Sequence, residues 1–303
     1  MKAAAVNSFG GPEVVELLEV ETPQAGPGQI RVRVKAAGIQ PFDGAVRRGL
    51  TLPGQDPSFP RKIGNDFAGI VDQVGEGAAG FPVGSEVLGW ALLACHAEYV
   101  VVPVDQVAAK PPQMPWEAAG AFSASAQTAY TAVESLRVGA EDTLLVHAAA
   151  GGVGTVAVQL ARIRGAAVIG TASPRNHDYL RSLGALPVAY GEGLVERVRK
   201  AAPGQVTAAL DCVGGPALDA SLELVADRGR IGTVTDFDRA PELGVSAIST
   251  QRSAERLAEL ANWYVEGKLR VEISHTFPLD QAAEAHRLMD TGHVRGKVAI
   301  VVD

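Results

Sequence analysis

One stretch of the chain has the residue types and spacing to hold a phosphorylated ligand by its backbone. His147 to Gly154, HAAAGGVG, is preceded by TLLV and followed by TVAVQLARIRGAAVIGTAS, so a strand runs into a glycine turn, a helix and a second strand. Aligned on a G-x-G-x-x-G fingerprint, Ala149, Gly151 and Gly154 take the three small-residue positions, with Ala149 departing from the strictest form. Gly151 lets the backbone approach a pyrophosphate, and Gly154 lets the helix pack closely on the strand. Gly152 and Val153 belong to the helix start, where free N–H groups and the positive dipole end favour an anion. A glycine match alone would describe any tight strand-to-helix turn. In its strand-turn-helix-strand context it reads as a dinucleotide site.

The tip of the second strand selects between dinucleotides. Enzymes that use NAD place an Asp or Glu there, on the adenosine ribose. Here the stretch is TASPRNHDYLRSLGA, with Ser173, Arg175 and His177 where the acid would be. Arg175 can pair with a 2′-phosphate through its planar donor fork, which favours NADPH. Against this, Arg175 and His177 also suit a solvated helix start, and Asp178 is a rival acid, although it falls inside the predicted helix.

These residues need a frame, and two textures of sequence supply it. Before about residue 118 the chain has short β-branched runs between Gly and Pro: IRVRVKAAGI (30–39), AGIVDQVG (68–75), SEVLGW (85–90) and AEYVVVP (97–103). Ile30, Val32 and Val34 alternate with Arg31, Arg33 and Lys35, as in a strand with one wet face. From about Pro115 apolar strands alternate with helices: 143–148, 166–172, 186–190, 207–213 and 229–234. That alternation predicts βαβ units and a parallel sheet covered on both faces. A predicted helix over 253–267 closes this region, after which 271–279 and 297–302 return to the strand-rich style. The expected division is 1–118, 119–265, and a tail 266–303 that rejoins the first domain.

Composition bounds the function. The 303 residues are 47% hydrophobic and 20% charged with a net charge of -7, which argues for a packed globular α/β protein and against nucleic acid as a partner. Cys95 and Cys212 are the only cysteines, too few for a disulfide framework or a four-thiolate zinc site. Cys95 and His96 adjoin in a predicted strand and point to opposite faces, so they make poor joint ligands. The start lacks a signal-peptide pattern and no apolar run suffices for a membrane span, so a cytoplasmic setting is expected. His147, on a predicted buried strand, reads as a structural imidazole. Ser123 and Ser125 lack a nucleophile elbow.

Taken together, MKAAAV, AAGIQPFDGAVRRG, KIGNDFAGIVDQVG, HAEYVVVP, QTAYTAV, VHAAAGGVGTVAVQLAR, ALDCVGG and FPLDQAAEAHRLMDTGHVRGKVAIVV resemble the medium-chain dehydrogenase/reductase superfamily, and within it the zinc-independent NADPH quinone oxidoreductases of the zeta-crystallin type. The resemblance covers essentially the whole chain. It implies a chaperonin-10-like β-barrel beside a Rossmann doubly wound parallel sheet, and commonly a homodimer. Zinc alcohol dehydrogenases of the superfamily carry a ligand Cys where this chain has Gln40 and a His-Glu pair at Asn65-Asp66. Gln40 and Asn65 are not competent zinc ligands, so no metal is expected.

By resemblance, Gln40 and Asp43 lie near the nicotinamide, with Gln40 able to hold an acceptor oxygen. Ala45 stands where many relatives have a Tyr, which removes a phenolic donor. Thr128 is expected near the nicotinamide or phosphates, Tyr190 and His177 at the 2′-phosphate, and Val213 beside the cofactor. Arg295 and Lys297 are expected to reach the cofactor or the cleft. Segments 49–62 and 235–247 are expected to line the acceptor pocket. Hydride transfer without a metal suits a quinone, or an alkene conjugated to a carbonyl as in enones, enals and enoyl groups. An NADPH-binding protein without turnover is the third reading.

Overall fold

The computed structural model describes every residue except residue 53 and residues 55–57. The expected acceptor segment 49–62 therefore lies partly outside the described residues. The chain divides into two compact units. One comprises Met1–Ala124, Ser253–Val265 and Glu272–Asp303, and the other Ser125–Arg252 and Glu266–Val271.

The first unit is built around the strand Gln29–Ile39. Its odd and even positions alternate in burial up to Lys35, after which Ala36 to Ile39 are all buried. The change has a packing cause. The helix Trp116–Gly120 covers the second face, and a Cβ on Gly120 would stand 2.4 Å from the Ala36 carbonyl oxygen. The same strand pairs antiparallel with Asp66–Val74 along one edge. Its other edge is shared, the first half by Tyr99–Pro103 and the second by Lys297–Val301. The tail thus closes the unit by sheet pairing, around a core that includes Ile30, Val32, Ile63, Phe67, Val298 and Ile300.

The second unit holds a six-stranded sheet with Thr143–Val146 at its centre. Ala167–Ala172 and Leu186–Ala189 lie to one side, and Ala208–Asp211, Ile231–Thr233 and Ser246–Ala247 to the other. All five pairings are parallel. Successive strands are joined by helices, among them Gly152–Ile163 and Pro216–Leu224, and the strand order reverses at Thr143–Val146. Ligands of such sheets bind at the carboxyl ends of the strands where the order reverses.

The units differ from the expected division at three places: the first runs to Ala124, Ser253–Val265 joins it, and Glu266–Val271 joins the second. The helix Ala254–Val265 belongs with the first unit. It packs on the strand Val107–Ala109, and Tyr264 meets Phe122 edge to face at 6.5 Å between ring centroids. Its Leu257, Leu260 and Ala261 are buried. An amphipathic helix shows its apolar face in sequence, but not which sheet that face covers.

Candidate active site

The glycine turn sits at the reversal point of the parallel sheet. His147 N–H donates to Leu210 O on one neighbouring strand, and Ala149 N–H donates to Thr171 O on the other. Ala148 takes a left-handed φ of 51°, costly for a residue with a Cβ. Gly151 N–H closes the turn on Ala148 O, and the first helical bond runs from Thr155 N–H to Gly151 O. The amides of Gly152, Val153 and Gly154 therefore precede the helical ladder. A Cβ on Gly154 would lie 2.4 Å from Ala148 O, whereas one on Gly151 would meet only that oxygen, at 3.2 Å. Gly154 is thus demanded by packing inside the turn. Gly151 leaves open space beside three amides, a cradle that fits a pyrophosphate.

Next to it, the register aligns Ala172 with Ala189, so Ser173 and Tyr190 follow side by side at the strand ends. Tyr190 is 54% exposed. Its loop is anchored by Arg197, which donates to the carbonyls of Ala189, Glu192 and Gly191 at 3.0, 2.6 and 3.2 Å. This clamp was not anticipated from sequence. Arg175 follows in the short 3-10 turn Pro174–Asn176, and His177 opens the next helix with a buried Nε2 that lacks a hydrogen-bond partner. The rival acid Asp178 is turned to solvent and paired with Arg181 at 2.6 Å. On the other side of the turn, Asp211 accepts from the amides of Val213 and Gly214 at 3.0 and 2.8 Å and from the Thr233 hydroxyl at 2.7 Å. Those bonds hold Val213 outward, 58% exposed. The Thr128 hydroxyl is 2.6 Å from that of Thr250.

His147 is a structural imidazole. Its Nε2 lies 3.0 Å from Ser221 Oγ and its Nδ1 3.3 Å from Thr171 Oγ1. Burial pushes its pKa down to about 4, against the Asp211 carboxylate.

The first unit carries a separate polar cluster. Gln40 precedes the helix Pro41–Arg47, in which Asp43 is the third residue. Asp43 accepts from Gln40 N–H at 2.7 Å, Gly64 N–H at 3.1 Å and the Asn65 amide at 3.3 Å. Burial pushes its carboxyl up, opposed by His96 and the amides of Gln40 and Gly64. Asp66 holds the Gln40 amide at 2.6 Å and the Ala124 N–H at 3.0 Å. Lys297 donates to Ile39 O at 3.0 Å and to Gln40 Oε1.

Gln40, Lys297 and Arg295 each have partners within their own unit. The Gln40 side-chain N–H bonds go to Asp66 and to Gly38 O, the latter at 3.1 Å. Lys297 is the first residue of its strand. It is only 5% exposed, and its ammonium is engaged by Ile39 and Gln40. Arg295 pairs with Glu272 at 2.8 Å within its own unit. Sequence reasoning also passed over Asp66, whose acid-bearing context, GNDFAG, was read only as the place of an absent zinc ligand.

Comparison with known proteins places this geometry in a family. Residues 26–112 match the model of the alcohol dehydrogenase GroES-like domain, and residues 183–300 match a model described as zinc-binding dehydrogenase. A quinone oxidoreductase of Pseudomonas aeruginosa is 30% identical, with 97% of each chain covered. The solved quinone oxidoreductase of Coxiella burnetii is 33% identical over 100% of this chain and 99% of its own, with a TM-score of 0.92. The chain belongs to the quinone oxidoreductase family of medium-chain dehydrogenase/reductases. The NADPH-complexed quinone oxidoreductase of Escherichia coli, 26% identical, has a TM-score of 0.87 over 99% of this chain and 100% of its own. The spectinabilin polyketide synthase system protein NorB of Streptomyces orinoci is 32% identical over 97% of this chain, but this chain spans only 14% of its length.

The matched description names zinc, and the residues here do not fit that ion. Gln40 and Asn65 lack the thiolate, imidazole or carboxylate that zinc takes. The Gln40 oxygen is already bound to an ammonium, and a second cation there would be repelled.

Proposed function

We propose that the protein is an NADPH-dependent oxidoreductase that delivers hydride, without a metal, to a quinone. The observation that carries this reading is the strand-tip set: free amides at Gly152 to Gly154, then Ser173, Arg175, His177 and Tyr190 with no ionised acid among them. When bound, NADPH supplies the hydride, as nicotinamide cofactors do.

The chain's own part is to bind and orient. The glycine turn holds the pyrophosphate against the helix N-terminus. Arg175, Tyr190 and the unpartnered His177 nitrogen hold the 2′-phosphate, a group that an Asp or Glu would repel. Thr128 and Val213 are assigned to the nicotinamide side. In the first unit, Asp43 fixes the start of the helix Pro41–Arg47, and Ala45, two residues on, supplies no phenol at its own position. The reduced acceptor then takes its proton from solvent.

A conjugated carbonyl or enoyl group is the second reading, favoured by the likeness to NorB. A homodimer in the cytoplasm, acting on a small molecule, accompanies both. The deciding experiment follows NADPH oxidation against a panel of benzo- and naphthoquinones and a panel of enones, enals and enoyl thioesters. Turnover led by quinones supports the assignment. Turnover confined to conjugated alkenes overturns it in favour of the second reading, and tight NADPH binding without turnover on either panel overturns both.

A further inference from the structure

Lys297 stands at the start of the tail strand, and the register that aligns Val298 with Ile39 brings it opposite Gln40. A lysine ammonium only donates and a carboxylate only accepts, so the Gln40 side-chain amide has one permitted orientation between them. Its oxygen faces Lys297 and its NH2 group faces Asp66 and Gly38 O. Asp66 in turn holds the Ala124 amide, next to the first residue of the helix Ser123–Ser135. The result is a continuous chain, Lys297 to Gln40 to Asp66 to Ala124, all of it buried. Burial lowers the Lys297 pKa, against the opposing pull of the buried Asp66 and Asp43 carboxyl groups. Both carboxyl groups are fully buried, and a charge left unbalanced at such depth is costly.

We propose that Lys297 is the positioning residue of the acceptor-side cluster, its tethered ammonium fixing the Gln40 amide, and through it the Asp66 carboxylate, at the place where zinc-binding members of the superfamily carry a metal. The inference goes beyond the assignment of acceptor class and rests on the proposed reductase reading only for its kinetic test. It explains why Gln40 and Asn65 occur together with a buried Lys. The cation comes from the chain itself, so neutral side chains suffice around it.

The test uses Lys297→Ala in the full-length protein. Loss of a charge-assisted hydrogen bond is expected to lower kcat with the acceptor by roughly 10- to 100-fold, while NADPH affinity stays unchanged because the dinucleotide residues belong to the other unit. Ethylammonium, which can enter the space left by the side chain and donate N–H bonds, restores kcat. Tetramethylammonium, which has no N–H, does not. Retained kcat in Lys297→Ala, or equal response to both ions, overturns the proposal. The unmodified protein gives a second readout independent of turnover. Nitrogen-15 NMR at neutral pH should show a slowly exchanging Lys297 ammonium that is lost or shifted in Gln40→Leu. A rapidly exchanging ammonium contradicts the assignment even if the alanine variant fails to fold. Absence of turnover in the unmodified protein defeats the reductase reading and leaves the NMR result to decide this one.

Discussion

On the proposed reading, individual side chains at the strand tips decide which dinucleotide binds. Each hydrogen bond from Tyr190 or Arg175 to a phosphate dianion is worth about 1.5–3 kcal/mol, or roughly 10- to 150-fold in affinity. Tyr190→Phe and Arg175→Ala should therefore each weaken NADPH by at least about tenfold, measured by fluorescence titration, and leave NADH nearly unchanged. Equal losses for the two cofactors would show that these residues support the fold instead. Asp43 carries a different kind of prediction. Asp43→Ala leaves two buried backbone donors, Gln40 N–H and Gly64 N–H, without this acceptor and removes a bond to the Asn65 amide. Urea unfolding should show a loss of about 3–5 kcal/mol, against a change under about 1 kcal/mol for the exposed Arg287→Ala.

Elements place those residues, and their legibility in sequence varied with the range of the forces that set them. The glycine turn could be read because its strand, turn and helix are consecutive, and local backbone geometry dictates Gly154. The alternation of Ile30, Val32 and Val34 was equally local. From Ala36 onward the strand gave no periodic signal, because the helix Trp116–Gly120 covers its other face. That approach tolerates no added atom, so Gly120→Ala should lower stability by about 2–4 kcal/mol in urea unfolding, while Gly204→Ala, with open space around its Cβ position, should change it little. The polar cluster was the least legible part. Lys297 and Gln40 are 257 residues apart, and only the closing strand brings them together. Lys297 was expected by resemblance to reach the cofactor or the cleft, and nothing in KVAIVV names Gln40 as its neighbour across the sheet.

At the scale of the whole molecule, buried imidazoles set the acid limit. Burial, with the Asp211 carboxylate opposing, lowers His147 from 6.5 to about 4. Burial, with His96 and Arg47, lowers His286 to about 3. In the unfolded chain both titrate near 6.5, so between these values the unfolded state binds more protons and stability rises with pH. The contribution is complete above about pH 6.5 and is lost as pH falls, by about 3 kcal/mol for His147 at pH 4. The urea midpoint should therefore drop between pH 7 and pH 5, and His147→Gln should flatten that slope. A midpoint that stays constant over this interval contradicts buried neutral imidazoles.

On the proposed reading, the chain passes hydride from NADPH with no metal in the site. The direct measurement is steady-state turnover with a quinone after exhaustive chelation, with zinc content determined by mass spectrometry on the same sample. The predicted result is full activity with NADPH in protein holding far less than one zinc per chain, and much weaker activity with NADH. Activity that disappears on chelation and returns with zinc, or that is equal for both cofactors, would contradict it.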